Sequence, residues 1–315
     1  MPKNDCSHIT SIGGQAVIEG VMMRGPLGTA VAVRTPDGDI TINKDEKLSP
    51  AKKPKVFKWP VVRGVVSFVE SMVIGVRALM YSAEFFDIEG EEEETPSKFE
   101  EFLTRIFGEK LKQAVIYFSV FLSLIFGIGL FMLLPTVLAS ALNNFNLSGI
   151  SKTVIEGVVR IALFLAYLAL VSKMKDIQRV FEYHGAEHKT IFAYESGEEL
   201  TVENVKKYSR FHPRCGTNFL LIVMVISIIV FSFLRWDNVL IRMVTRLALL
   251  PLVAGLSYEV IKWAGRSQGK FVRFISAPGL WLQRLTTREP DDSQLEVAIA
   301  ALSNVKTQNI EDDKW

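Results

Sequence analysis

The feature that most constrains this chain is an uncharged apolar run between Ala114 and Leu134, AVIYFSVFLSLIFGIGLFMLL. Its length matches the roughly 20 residues that an α-helix needs to cross the hydrocarbon core of a bilayer. Inside lipid, every backbone N–H and C=O must find its partner within the protein, so such a run folds as a helix. The sequence therefore predicts an integral membrane protein, in keeping with its mean hydropathy of +0.24.

Three further apolar stretches bring the prediction to about four transmembrane helices. Val154 to Val171 is the second, Phe219 to Leu234 is the third, and Val239 to Ile261 forms a hairpin with the third. Ionisable residues near the end of a span reach the headgroups, and those within it indicate a face turned toward protein or water. The second stretch carries Glu156 and Arg160, and the fourth carries Arg242, Arg246 and Glu259.

Lysine and arginine concentrate before the first span, between the second and third, and after the fourth. Because cytoplasmic flanks of membrane helices are basic, these segments are predicted to face the cytoplasm. Both termini and the loop 174–218 are then cytoplasmic in a multi-pass protein of the plasma membrane, and no cleavable signal is expected. Basic flanks of this kind do not indicate nucleic acid. The expected partners are the lipid bilayer and, as an open possibility, further copies of the chain.

The fold class expected is mainly α, with a small β-containing segment at the N-terminus. Residues 12–43 combine β-branched residues, glycines and a Pro-Asp-Gly-Asp turn, which predicts β structure within a cytoplasmic segment 1–58. In 59–113 we expect an amphipathic helix that lies in the interface or packs on the bundle, followed by an acidic linker. The helical core then occupies 114–285, and 286–315 forms a polar acidic tail with a short helix at Leu295 to Ser303.

Residues 181–218 hold three of the chain's four histidines and one of its two cysteines. His184 and His188 are four residues apart, so on a helix their imidazoles project from one face and can bind one metal ion. With Glu187 they spell H-x-x-E-H, a pattern in which two histidines hold zinc and the glutamate is the general base. The sequence thus predicts a divalent metal, zinc first. The alternative is a pair of surface or capping histidines.

A third metal ligand is expected from His212, Cys215 or Glu259. If both His212 and Cys215 bind, the site is closed and structural; if one of them or Glu259 binds, a position remains for water. The competing interpretation of Glu259 is an ion pair at the membrane boundary. Gly185 costs about 1 kcal/mol relative to alanine in a helix interior. It indicates either a departure from the zincin pattern or close backbone packing.

A second tier of candidate residues surrounds this loop. Arg214 is positioned to clamp a carboxylate or phosphate of a substrate, or to anchor the next span at the headgroups. Near the N-terminus, glycines at 13, 14, 20 and 25 indicate tight turns or a backbone that approaches an anion. The polar residues between them are candidates to line the metal site: Gln15, Glu19 and Arg24.

Four motifs occur in a characteristic order: GGQAVIEGVMMRGP, EYHGAEHKTIFAYE, HPRCGTNFL and LSYEVIKWAGR. Together they resemble the YqhQ-like family of bacterial membrane proteins, over about residues 10–285. The resemblance implies a domain of unknown function whose members are commonly described as predicted metal-dependent enzymes.

Three functions are compatible with these features. The first is a membrane-embedded metal-dependent hydrolase acting at the cytoplasmic interface on a peptide, lipid or small amphiphile. The second is a scaffold or partner-binding protein with a structural metal. The third is a transporter or metal-responsive channel, which the scarcity of ionisable residues in mid-span disfavours.

Overall fold

The computed structural model describes residues 8–45, 55–86, 111–140, 149–234, 238–265, 269–307 and 310–313. These residues are mainly helical, with four strands near the N-terminus. The strands are β1 (Gly13–Val17), β2 (Gly20–Gly25), β3 (Gly28–Arg34) and β4 (Ile40–Asp45). The helices are α1 (Val62–Ala83), α2 (Leu111–Ile128), α3 (Leu134–Ser140), α4 (Gly149–Val171), α5 (Lys175–Glu195), α6 (Val202–Lys206), α7 (Gly216–Ser232), α8 (Val239–Gly265), α9 (Lys270–Thr286) and α10 (Asp292–Ser303).

The strands form one antiparallel sheet in the order β1-β2-β3-β4, which confirms the predicted N-terminal β element. Side chains alternate between the two faces of a strand, and both faces of this sheet are covered. One face packs in a core with α5, α6 and α10 and includes Met23 and Ala32. The other face packs on α1 and includes Met22 and Val33. Double coverage explains why β2 and β3 are apolar at consecutive positions.

The predicted polar tail contributes to the first of these cores. Asp291 caps α10 in a capping box with Gln294, which satisfies N–H groups that the first helical turn leaves unpaired. One face of the helix is then fully buried against the sheet and α5, through Leu295, Ala298 and Leu302. The predicted short helix is therefore present, but it begins at Asp292 and is an integral part of the core.

Four helices are long and apolar enough to cross a membrane: Val62–Ala83, Phe118–Ala139, Ile150–Val171 and Leu240–Ala264. The last three correspond to predicted spans. Of these, Phe118–Ala139 contains a π-helical segment at Gly129–Leu133. The remaining predicted span falls in α7, which is shorter at 17 residues. Its place among the membrane-length helices is taken by α1.

α1 connects the helical bundle to the sheet. Near its start, Gly64 lies so close to α8 that an added Cβ would come within 2.7 Å of the Tyr258 Cβ. Its second half packs on the sheet through Ile74 and Ala78. The helix therefore packs on the bundle, one of the two placements that its polar stripe predicts.

Candidate metal centre

α5 places both histidines of the H-x-x-E-H motif in the interior. The helix has Asp176 in its first turn, where a carboxylate favours the helix dipole, and it ends before Gly197, which has a φ of 73°. His184 Nδ1 lies 2.8 Å from the Thr286 carbonyl oxygen, and His188 Nδ1 lies 2.5 Å from that of Arg210. A carbonyl oxygen only accepts, so each Nδ1 carries a proton, and in the neutral ring each Nε2 then presents a lone pair.

Cys215 supplies a third ligand atom from a different helix. It is the N-cap residue of α7, and its Sγ accepts a hydrogen bond from the Thr217 N–H. The Sγ lies 3.2 Å from His184 Nε2. The candidate ligand atoms of His184, His188 and Cys215 all lie within 4.8 Å of one another.

These residues fit a zinc ion or a similar metal. Zinc binds nitrogen at about 2.0–2.1 Å and sulfur at about 2.3 Å, so two ligand atoms on one ion lie at most about 4.4 Å apart. The 4.8 Å within which the three atoms lie is close to that limit. Metal-binding histidines also donate their second N–H to a carbonyl or carboxylate, which sets the tautomer, as His184 and His188 do here.

Glu187 faces the histidines without joining them. Its side chain is buried, Oε1 accepts a 3.0 Å hydrogen bond from the Gly14 N–H, and Oε2 lies 3.9 Å from His184 Nε2 and 4.0 Å from His188 Nε2. Burial raises the pKa of Glu187, although His184 and the Gly14 N–H oppose the increase. The carboxylate therefore has one oxygen anchored and the other directed toward the histidines.

Two glycines allow this arrangement. A Cβ on Gly14 would lie 2.3 Å from the Met22 carbonyl oxygen of β2, so this position of the sheet requires glycine, and it would also lie 3.3 Å from Glu187 Cγ. A Cβ on Gly185 would lie 2.0 Å from the Arg288 carbonyl oxygen. The glycine inside α5 thus reflects close backbone packing, one of the two explanations that its position suggested.

His212 lies beside the three-residue group but in a different network. Its backbone N–H donates to Gln283 Oε1 at 2.8 Å, and its carbonyl accepts from Gln283 Nε2 at 2.7 Å. The ring packs on Phe192, and its Nε2 lies 3.7 Å from a carboxylate oxygen of Glu195. Burial, helped by the charge of Arg214, lowers the pKa of His212 to about 4 despite the nearby carboxylate, so the ring is neutral at pH 7.

Glu195 is the centre of that network, and the sequence interpretation did not include it. It accepts a hydrogen bond from the Thr10 N–H at 2.9 Å and pairs with Arg214. Burial opposes ionisation of Glu195, but the His212 hydrogen bond and the Arg214 charge outweigh it and lower its pKa. Its position seven residues after His188, two turns along the same helix face, was the available signal. Arg214, a predicted substrate clamp, is engaged by this carboxylate.

The other candidates bind structural elements to one another. Glu259 accepts a 2.7 Å hydrogen bond from Arg63 Nε and another from the Val61 N–H, so the structure does not group it with the histidines. Its ion-pair partner is Arg63. The second-tier residues are held in the same way, with Gln15 donating to the Gly75 carbonyl, Glu19 pairing with Arg179 and Tyr183, and Arg24 pairing with Glu70.

Comparisons with known proteins match the chain to one family model and to one relative. A family model with the description "Protein of unknown function (DUF1385)" matches residues 59–308. The "Uncharacterized protein YqhQ" of Bacillus subtilis (strain 168) is 36% identical over 294 residues, which cover 93% of this chain and 91% of that protein. No solved structure matches the chain.

Proposed function

The chain belongs to the DUF1385 family of proteins of unknown function, and we propose that it is a zinc-dependent hydrolase of the plasma membrane with its site at the cytoplasmic boundary. Its apolar helices of membrane length support the location. The basic segments around the site support the cytoplasmic side. A peptide, lipid or small amphiphile near the bilayer surface is the substrate class that this location favours.

One observation carries the proposal: three ligand atoms converge, and the buried Glu187 carboxylate places Oε2 3.9 Å and 4.0 Å from the two histidine Nε2 atoms. Structural zinc sites are closed by four protein ligands, whereas catalytic sites have three and keep a position for water. His212 would have closed this site, but its network with Glu195 and Gln283 holds it apart from the ligand group. The arrangement favours catalysis over a purely structural metal.

Each residue has a defined part in the proposed reaction. A bound zinc ion would supply Lewis acidity and lower the pKa of a water molecule. His184 and His188 would hold the ion through Nε2, while the Thr286 and Arg210 carbonyls keep both rings in the required tautomer. Glu187 Oε2 would take a proton from the water as its oxygen bonds to the substrate's acyl or phosphoryl centre, and would return that proton to the leaving group as the scissile bond breaks. The Gly14 N–H keeps Oε1 occupied, so that Oε2 faces the reaction.

Zinc content of the detergent-purified full-length protein is the first test, with variants chosen to separate the roles. We expect about one zinc per chain in the wild type and in Glu187→Gln. His188→Ala and Cys215→Ser should lose it. His212→Ala and Glu259→Gln are controls that should retain it. A wild type without metal after reconstitution with zinc, or loss of zinc in His212→Ala with retention in Cys215→Ser, would overturn the assigned ligand set.

Cobalt substitution then distinguishes an open site from a closed one. Acetohydroxamate added to the cobalt-loaded protein should change its visible absorption, because an open position lets the inhibitor bind the metal. A spectrum that acetohydroxamate leaves unchanged would indicate a structural metal. In a screen of peptide, ester and phospholipid substrates, Glu187→Gln should lose at least about 100-fold in kcat while keeping its zinc. Equal activity of this variant and the wild type would remove the assigned base.

A further inference from the structure

A second charged cluster lies within the apolar helices, away from the metal centre. It joins Thr136 of α3, Glu156 and Arg160 of α4, Ser227 of α7 and Arg246 of α8. Ser227 is twelve residues beyond Cys215 in sequence, which corresponds to a rise of about 18 Å along α7. The cluster is therefore at the opposite end of α7 from the metal ligand.

One carboxylate in this cluster serves two guanidinium groups. Glu156 accepts a 2.7 Å hydrogen bond from Thr136 Oγ1, a 3.3 Å bond from Arg160, and a bond from Arg246. Arg160 also donates to Ser227 Oγ at 3.2 Å. The three ionisable side chains are buried, with Glu156 2%, Arg160 8% and Arg246 3% exposed. The cluster thus carries a net positive charge.

Arg242 lies one turn before Arg246 on α8 and adds to the net positive charge of the cluster. Among the described residues it makes no ion pair, and the Nε atoms of both Arg242 and Arg246 are buried without a hydrogen-bond partner. The other carboxylate of the described parts of α3, α4, α7 and α8 is Glu259, which is bound by Arg63. Uncompensated cations within a membrane bundle are costly and mark functional sites. An anion would offset this charge and accept the unused N–H groups.

An apolar groove meets the cluster at Phe131. It is lined by residues of α2, the π-helical segment and α4, including Ile125, Phe126, Leu130 and Tyr167. The Phe131 carbonyl accepts a 2.9 Å hydrogen bond from Arg160 Nε, and its ring contacts that of Tyr167. A single ligand could therefore place a charged group at the arginines and an alkyl chain in the groove. Free phosphate would use only the first of these features.

We propose that this end of the bundle binds an anionic phospholipid, with its phosphate at Arg242 and Arg246 and an acyl chain in the groove. Thr136, Glu156 and Arg246 each lie within about two turns of the helix end that faces the less basic connections. Arg242 is nearer still to that end, three residues after the start of α8, and long arginine side chains reach toward the headgroup layer. Guanidinium groups bind phosphate through paired hydrogen bonds, which suits the unused donors. The proposal rests on the membrane insertion proposed above but not on the metal chemistry.

Lipid titration of the delipidated full-length protein in detergent tests the site. Phosphatidylglycerol should raise the unfolding temperature saturably, and phosphatidylcholine with the same acyl chains should do so much less. Arg242→Gln, which breaks no ion pair among the described residues, should weaken the apparent affinity for phosphatidylglycerol about tenfold, as expected for one lost hydrogen bond to a charged group. Arg284→Gln, an exposed change of the same charge on α9, is the matched control and should bind like the wild type.

A second variant tests the groove separately. Gly127 lines it and has open space around its Cα, so Gly127→Phe should fill the groove and weaken lipid binding without disturbing the arginines. Equal stabilisation by both lipids, or unchanged binding in Arg242→Gln, would overturn the site. Stabilisation by inorganic phosphate that matches phosphatidylglycerol, with Gly127→Phe unaffected, would overturn the lipid. Zinc content measured on the same samples should not change, so failure here is distinguishable from failure of the metal site.

Discussion

At the scale of single residues, the metal centre depends on close backbone approaches as much as on its ligands. The Thr286 and Arg210 carbonyls bind the histidine Nδ1 atoms, and the Gly14 N–H binds Glu187. Every residue carries a carbonyl, so no sequence pattern identifies which ones will do this. The glycines are the exception, because a glycine in a helix interior is costly and indicates a packing reason.

Gly185→Ala should destabilise the protein by about 1–3 kcal/mol, the range expected for overpacking. The added Cβ would lie 2.0 Å from the Arg288 carbonyl oxygen, and backbone has to move to relieve the contact. Gly127→Ala is the matched control, since it is also in a helix but has nothing within 4 Å of its Cβ position. Thermal unfolding in detergent should show a lower midpoint for the first variant and an unchanged or higher one for the second. Equal midpoints would contradict the close approach.

The sequence identified the members of the histidine and cysteine cluster better than the residues around them. Helical spacing put His184, Glu187 and His188 together, and Cys215 was a candidate because it lies in the same short stretch. Spacing along one helix does not indicate which other helix, distant in sequence, packs against it. For that reason Glu259 looked as suitable as Cys215, although Arg63 binds it in the structure. Gln283, which holds His212 from α9, had no signal of its own.

At the scale of secondary structure elements, α10 shows why composition misled at the C-terminus. Its sequence is polar enough to resemble a tail, but its apolar residues share one face, which is buried against the sheet and α5. α5 carries His184 and His188, so α10 stabilises the helix that positions these two histidines.

Leu302→Ala should therefore lower the free energy of unfolding by about 2–5 kcal/mol, the cost of a cavity at a fully buried leucine. Glu296→Ala is the control on the same helix. Its side chain is 52% exposed and pairs with Arg34, so the loss should be at most about 1 kcal/mol. Denaturant titration of the full-length protein in detergent compares them. A Leu302→Ala midpoint equal to that of Glu296→Ala would mean that α10 is not part of the folded core.

α1 is apolar and long enough to span a membrane, but its contacts favour a position at the cytoplasmic face. It starts against Gly255 of α8 and continues onto the sheet, whose β1 contacts the metal centre through Gly14. Apolar side chains remain exposed along its other side: Phe68, Val69, Met72, Val73 and Leu79. A helix that packs on the sheet at one end and exposes an apolar face suits the membrane interface.

Cysteines at the two ends of α1 distinguish these placements. In a Cys6→Ser background, Val56→Cys and Glu84→Cys should both react with an impermeant maleimide in inside-out membrane vesicles, and neither should react in right-side-out vesicles. Both native residues are exposed, so the introduced thiols should be accessible. The parent protein is the control, because Cys215 is buried. Labelling of the two positions from opposite sides would show that α1 crosses the membrane.

At the scale of the whole molecule, hydropathy predicted the helical bundle, and β-branched residues with turn signals predicted the sheet. Neither predicted how the two are joined, because α1 serves both and its apolar residues cover two different partners. The division of charge is the other feature of the whole: a histidine and carboxylate centre at one end of α7 and an arginine cluster near the other. We therefore predict that the proposed hydrolase and lipid sites lie on opposite sides of the bilayer.

Membrane topology tests this arrangement with two further single cysteines in the Cys6→Ser background. Glu198→Cys lies in the exposed turn after α5, near the metal centre, and Asn238→Cys lies just before α8, on the side of the arginine cluster. The positive-inside rule assigns the first to the cytoplasm and the second to the outside. We expect an impermeant maleimide to label Asn238→Cys in right-side-out vesicles and Glu198→Cys only in inside-out vesicles. The reverse pattern would put the metal centre outside the cell, and labelling of both from one side would mean that α7, the apolar helix between the two positions, does not cross the bilayer.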